Sequence, residues 1–238
     1  MASDEQNGRD AASQRAMFTR LARGYDRMNR VLSFGTDVLW RRRAAAALGP
    51  AERILDVAAG TADFSLVLAR ANPSARVEGV DLTPAMTELG REKVRRAGLS
   101  GRVTLQTGDA AALPFPDSSF DAATCAFGFR NFPDRPAVLA EIARILSDGG
   151  RLAVLEFFRD DARRRTVPVD VWLRIAGPLF AGRVRGDYEY LRSSIRATCT
   201  AEEFESEAFA AGFAPVSRRT FFPCCRCLVF SLARRANG

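Results

Sequence analysis

The chain has 238 residues, 47% of them hydrophobic, which suits one α/β domain with appendages (1–238) better than two domains or a disordered polymer. All but one of the 35 basic residues are arginine and they are scattered apart from Arg41 to Arg43 and Arg163 to Arg165, so the net charge of +7 does not point to nucleic acid. The absence of histidine excludes Ser-His-Asp and Cys-His catalysis and leaves none to complete a usual zinc site with the clustered cysteines, and no apolar run reaches the length of a membrane span.

Residues 1–12 are polar and charged and are expected to form a frayed tail rather than a secretory signal. Residues 13–48 read as a helical cap with a break near Ser33, Phe34 and Gly35. ERILDVAA (52–59) reads as a buried strand, followed by a helix from about Asp63 to Ala71. RVEGVD (76–81) is a second strand, and Pro84 opens a helix that stops at Gly98. RVTLQTGD (102–109) and FDAATCAFG (120–128) are the third and fourth strands. RPAVLAEIARIL (135–146) is an amphipathic helix, Asp148, Gly149 and Gly150 make a turn, and RLAVLEFF (151–158) is the fifth strand. Residues 160–200 read as a lid insertion, and a helix follows near Ala201 to Ala211. FAPVSRRT (213–220) and RCLVFSLA (226–233) lie close enough for an antiparallel hairpin at the sheet edge.

This alternation predicts an α/β fold with a doubly wound, mostly parallel seven-stranded sheet. Five cysteines, an odd count, suggest reduced thiols in a cytoplasmic protein. The cluster of Cys224, Cys225 and Cys227 has no matching second pair, so no metal is expected.

Doubly wound sheets bind ligands beyond the carboxyl ends of their strands. The first such end carries DVAAGTAD, where small residues admit a ligand close to the backbone and Gly60 can adopt positive φ. Gly60 is the only glycine of this turn, so it is not the G-x-G-x-x-G cradle of a dinucleotide. The second strand ends at Asp81, 21 residues beyond Gly60, where a carboxylate accepts bonds from ribose hydroxyls and repels a 2′-phosphate. A helix cap before Pro84 is compatible with the same residue. Asp109, closing the third strand, is placed to bond an adenine amino group. Together these strand ends match a class I methyltransferase that uses S-adenosylmethionine.

MFTRLARGYDRMNRVLSFGTDVLWRR (17–42), ILDVAAGTAD (54–63), LPFPDSSFD (113–121), CAFGFRNFPD (125–134) and GGRLAVLEF (149–157) resemble segments of the ubiquinone/menaquinone biosynthesis C-methyltransferases. YEYLRSSI (188–195) resembles that family's tyrosine-rich lid segment. The resemblance implies a Rossmann-like class I fold and C-methylation of a polyprenylated hydroquinone with S-adenosylmethionine as cofactor. It implies that Thr61, Asp81, Asp109 and Ala110 hold the cofactor, with Asp56, Ala59, Gly60, Asp63 and Leu82 on the same strand ends. Ala126 stands where the family has a small polar residue, which removes one cofactor hydrogen bond. Arg130 and Asn131 fall in the family's active-site motif; Tyr25, Asp26, Phe127, Tyr188 and Tyr190 fall around the substrate pocket. The stretch TFFPCCRC (220–227) departs from the family in having no glycine.

Loss of the phenolic proton makes the neighbouring ring carbon a better nucleophile. Without histidine, Arg130 is expected to stabilise the phenolate, while water, Asp26 or Tyr25 receives the proton. The expected partner is a lipophilic quinol; nucleic acid is not expected. Peripheral membrane contact through VWLRIAGPLFAG (171–182) and a homodimer stay open. A methyltransferase acting on a secondary metabolite or a sterol is the alternative.

Overall fold

The computed structural model describes residues 15–20, 22, 25–26, 29–30, 33, 35–159, 194, 197–221 and 225–233. The strands are β1 (Arg53–Val57), β2 (Arg76–Asp81), β3 (Val103–Thr107), β4 (Phe120–Ala126), β5 (Leu146–Phe157), β6 (Phe213–Phe221) and β7 (Cys225–Leu232). The helices with described boundaries are α1 (Asp37–Leu48), α2 (Asp63–Ala71), α3 (Pro84–Arg96), α4 (Arg135–Ile145) and α5 (Ala201–Ala210). The seven strands form one sheet in the order β3-β2-β1-β4-β5-β7-β6. The first five pair in parallel, and β7 runs antiparallel between β5 and β6. The doubly wound sheet and its terminal hairpin are as the sequence predicts.

Central strands of such a sheet are covered on both faces and must be apolar throughout, as Ile54, Leu55 and Val57 are, each fully buried. Val138, Leu139 and Ile142 of α4 and Phe204 of α5 pack on one face. Trp40, Ala44 and Leu48 of α1, Phe64 and Leu68 of α2 and Val94 of α3 pack on the other. Each fully buried Leu, Ile or Phe contributes about 1.5–3 kcal/mol, so these two layers dominate stability. Helix starts follow local chemistry. Asp134 caps α4 by accepting from the Ala137 N–H at 2.9 Å. Thr200 and Glu203 form a reciprocal capping box on α5.

Several boundaries differ from the sequence reading, β3 among them, which spans Val103–Thr107. β1 ends at Val57 and β4 at Ala126 because Ala58 and Phe127 turn to φ of +54° and +61°. The predicted turn at Asp148, Gly149 and Gly150 lies inside β5, which begins at Leu146 directly after α4. There the β4 pairing jumps from Phe120↔Leu146 to Ala122↔Arg151, so the turn is a bulge, with Gly149 at φ +73°. Among the described residues no helix is long and apolar enough to cross a membrane. Residues 171–182 and Cys224 lie outside the described residues.

Candidate active site

A cavity of about 360 Å³ opens at the carboxyl ends of β1 to β4, within the usual range for small-ligand sites. Asp81, Leu82, Asp109 and Ala110 line it from β2 and β3, and Ala58, Gly60 and Ala126 from β1 and β4. The Asp81 carboxylate accepts the Gly60 N–H at 2.8 Å on one oxygen and the Thr83 N–H at 2.9 Å on the other. Burial pushes this carboxyl up and the two backbone amides pull it down. A carboxylate has about four acceptor sites, so about two are left for hydroxyls in the cavity. A Cβ built on Gly60 would meet nothing within 4 Å, so a ligand can lie against the backbone there. Asp109 sits exposed on the rim, one oxygen accepting the Ala111 N–H at 2.9 Å.

Four residues of the turns after β1 and β4 have left-handed backbone: Ala58, Gly60, Ala62 and Phe127. Three of them are not glycine, and such strain persists where surrounding packing fixes it. The packing here is close. A Cβ on Gly128 would come within 2.7 Å of both Ala58 Cβ and Cys125 Sγ. The remaining predicted cofactor residues, Asp56, Ala59, Thr61 and Asp63, line a smaller adjoining recess instead of the main cavity.

The N-terminal segment supplies Phe18 and Tyr25 to the cavity wall, their rings edge-to-face at 6.2 Å. Asp26 is placed otherwise than the sequence reading expects. It lines neither cavity, and its two oxygens are taken by the Thr61 hydroxyl and by Lys93 Nζ at 2.7 Å. Lys93 is the single lysine of the chain. Its ammonium also reaches Thr61 Oγ1 at 3.1 Å and the Asp63 carboxylate. Gly90, one turn earlier on α3, permits this approach: a Cβ there would lie 3.3 Å from Gly60 O. A tetrahedral ammonium can serve three acceptors on three residues, which a planar guanidinium cannot do from one point. Lys93→Arg is therefore expected to lower stability by about 1 kcal/mol and to speed amide exchange at Tyr25 and Asp26 severalfold. Unchanged exchange there would remove Lys93 from this tethering role.

Arg130 also departs from the sequence expectation. It does not line the cavity; its side chain is 6% exposed and its Nη1 lies 2.6 Å from Glu156 Oε1, itself 1% exposed. The Arg130 backbone N–H donates to the other Glu156 oxygen at 3.3 Å. Of the neighbouring acids, Glu141 is held by Arg144 at 2.8 Å and Asp134 caps α4. Asn131, from the same 3-10 turn (Phe129–Asn131), does reach the wall, as does Phe127, which stacks on Phe157 at 5.1 Å. Tyr188 and Tyr190 lie outside the described residues.

Asp56 is buried beneath the turn, accepting from Ser65 Oγ at 2.6 Å and Thr124 Oγ1 at 2.9 Å. Burial pushes its carboxyl from the ordinary 3.8 up to about 6, opposed by those hydroxyls and by Arg41. The folded value lies above the unfolded one, so this contribution to stability is complete below about pH 4 and is lost as pH rises through about 6. Asp56→Asn removes the loss. The unfolding free energy of the variant relative to wild type should rise by on the order of 2–3 kcal/mol between about pH 4 and about pH 7.5, read from urea midpoints. A difference that stays flat with pH would contradict the assignment.

The chain matches the ubiE/COQ5 methyltransferase family over residues 5–229. The chain belongs to this family. It is 44% identical over 202 residues to the demethylmenaquinone methyltransferase of Thermus thermophilus, covering 83% of this chain and 91% of that protein. It is 40% identical over 211 residues to the ubiquinone/menaquinone biosynthesis C-methyltransferase UbiE of Geobacter sulfurreducens, covering 86% and 82%. The fold is shared with the crystal structure of an S-adenosylmethionine-dependent methyltransferase from Aquifex aeolicus, with a TM-score of 0.61 at 17% identity over 81% of this chain and 89% of that one. This member of the family is thus an S-adenosylmethionine-dependent methyltransferase of class I fold. Sequence reasoning passed over three charged residues around its site: Lys93, Glu156 and Arg41. Signals existed for each. Lys93 is a lone lysine among arginines, Glu156 is an acid inside an apolar strand, and Arg41 follows a tryptophan on a helix that buries that face.

Proposed function

We propose that the protein transfers a methyl group from S-adenosylmethionine to a ring carbon of a polyprenylated hydroquinone in respiratory-quinone synthesis. One observation carries the reading: a single cavity joins the Asp81–Gly60 cradle to an aromatic wall made by Phe18, Tyr25, Phe127 and Phe132. The relatives named for demethylmenaquinone and ubiquinone/menaquinone methylation support it.

When bound, S-adenosylmethionine supplies a methyl group on a positively charged sulfur. Asp81 offers its remaining acceptor positions to the ribose hydroxyls, and Leu82 and Ala110 flank the adenine side. Asp109 on the rim accepts from the adenine amino group. Arg15, the Tyr25 phenol, the Asn131 carboxamide and Asp134 also line the cavity, and of these the Tyr25 phenol and the Asn131 carboxamide are the neutral donors for the acceptor's hydroxyl. Both can donate a hydrogen bond to oxygen as it becomes a phenolate, with that proton leaving to water; once the methyl has moved from sulfur to carbon, the hydrogen of the methylated ring carbon leaves as a proton and the oxygen regains one, which restores the aromatic ring. The phenylalanines exclude water, which strengthens the attraction between phenolate and sulfonium and holds the reacting atoms in line. A polyprenyl tail resides in a bilayer, so this reading carries with it a contact between protein and membrane surface.

The test is incubation of the purified protein with S-adenosylmethionine and short-chain demethylmenaquinol or 6-methoxy-benzoquinol, followed by mass spectrometry. Gain of one CH₂ on the ring is the expected product. Binding of S-adenosylhomocysteine with no methylation of either quinol would leave the alternative, a secondary metabolite or a sterol, as the better reading.

A further inference from the structure

Arg41 of α1 is 5% exposed yet borders a cavity. This is the smaller recess of about 30 Å³, lined by Arg41, Asp56, Thr61 and Phe64. It shares Tyr25, Ala58, Gly60 and Ala126 with the main cavity, so the two adjoin across the turns after β1 and β4. The Arg41 guanidinium is fixed on two sides. Its Nη1 donates to Asp37 Oδ2 at 2.6 Å, and its central carbon lies 5.4 Å from the centre of the Phe127 ring. Its Nε is buried and meets no acceptor among the described residues. Buried guanidinium N–H groups are rarely left so.

Asp37 does not belong to Arg41 alone, since Arg30 Nη1 lies 3.4 Å from Oδ1 and Ser33 Oγ donates to that oxygen at 2.9 Å. Asp37 is thus shared between two guanidiniums, of which Arg30 also lies 3.9 Å from Asp63. With Nη1 engaged by Asp37, the Nε edge remains, and that edge with the adjacent Nη2 is the side-on fork that matches a carboxylate.

Direction settles which carboxylate. A ribose held by Asp81 with its adenine toward Asp109 and Ala110 sends the amino-acid tail the opposite way, past Gly60 and Ala126. That path enters the recess of Arg41. We propose that Arg41 binds the α-carboxylate of the methionyl part of S-adenosylmethionine, with Asp56 in the same recess facing the α-ammonium. The assignment rests on the proposed function and adds to it the residue that distinguishes the full cofactor from a bare adenosyl thioether.

Calorimetry with two ligands tests it. S-adenosylhomocysteine and 5′-methylthioadenosine share the adenosyl thioether and differ in the amino-acid tail. Arg41→Met should weaken S-adenosylhomocysteine roughly 10- to 100-fold and leave 5′-methylthioadenosine within about twofold, and Arg41→Lys should keep part of the discrimination. Equal losses for both ligands, or none for either, overturn the assignment. The wild-type protein gives a second reading that needs no variant. The carboxamide of S-adenosylhomocysteine, equal in shape but without the charge, should bind roughly tenfold or more weakly than the acid, and equal affinity overturns the assignment. Wild-type protein that bound neither adenosyl ligand would overturn the functional reading and this assignment together. Wild-type protein that bound both, with Arg41→Met unchanged, would overturn this assignment alone.

Discussion

Arg130→Met is expected to destabilise the protein by about 3–5 kcal/mol, because it strands the Glu156 carboxylate, 1% exposed, without its cation. In a chain of this length that corresponds to a fall in Tm of roughly 6–20 °C. The double variant Arg130→Met, Glu156→Gln should recover more than half of the loss, since a neutral amide costs far less to bury than an unpaired charge. S-adenosylhomocysteine affinity below the melting transition should stay within about threefold of wild type, because Arg130 does not line the cavity. A single variant that melts within about 1 °C of wild type yet turns over poorly would return Arg130 to the phenolate-stabilising role that its sequence position suggests. The pair has a further geometric consequence. Glu156 also receives the Arg130 backbone N–H, so it anchors the 3-10 turn that presents Asn131 to the cavity.

Asp81→Asn should weaken S-adenosylhomocysteine and 5′-methylthioadenosine alike, by roughly 100-fold or more, which separates it from the Arg41 variant. Two hydrogen bonds to a charged acceptor are worth about 1.5–3 kcal/mol each, and the substitution disturbs both. The usual conservatism of Asp to Asn fails here. Both Asp81 oxygens already accept backbone N–H groups, from Gly60 and Thr83, so the new NH₂ must point a donor at a donor. The turn after β1 would then lose its tether to β2 together with the ribose contact. Calorimetric affinity within about fivefold of wild type would show that the ribose is held elsewhere.

Much of this architecture is legible in the chain. Runs such as ILDV and LAVLEF, apolar on every position save an acid, can only be strands covered on both faces. Pro84 and the Thr200/Glu203 box mark helix starts through chemistry that reaches at most three residues. The strand ends that carry Gly60, Asp81 and Asp109 converge because parallel strands joined by right-handed crossovers bring their carboxyl ends to one side. The early ends of β1 and β4 were less legible, since Ala58 and Phe127 adopt positive φ without being glycine.

The alternation of strand and helix, the sheet and the meeting of the strand ends at one cavity therefore follow from the sequence alone, for they depend on periodicity and on the direction in which each strand runs. The partners of the charged side chains were decided by tertiary structure. Asp26 meets Lys93 across 67 positions and Arg130 meets Glu156 across 26, while Arg41 of α1 packs against the Phe127 ring in the turn after β4. No local pattern encodes such pairings. A charge removed from water takes whichever opposite charge the packed backbone delivers within reach, and that is known only once the crossovers have closed.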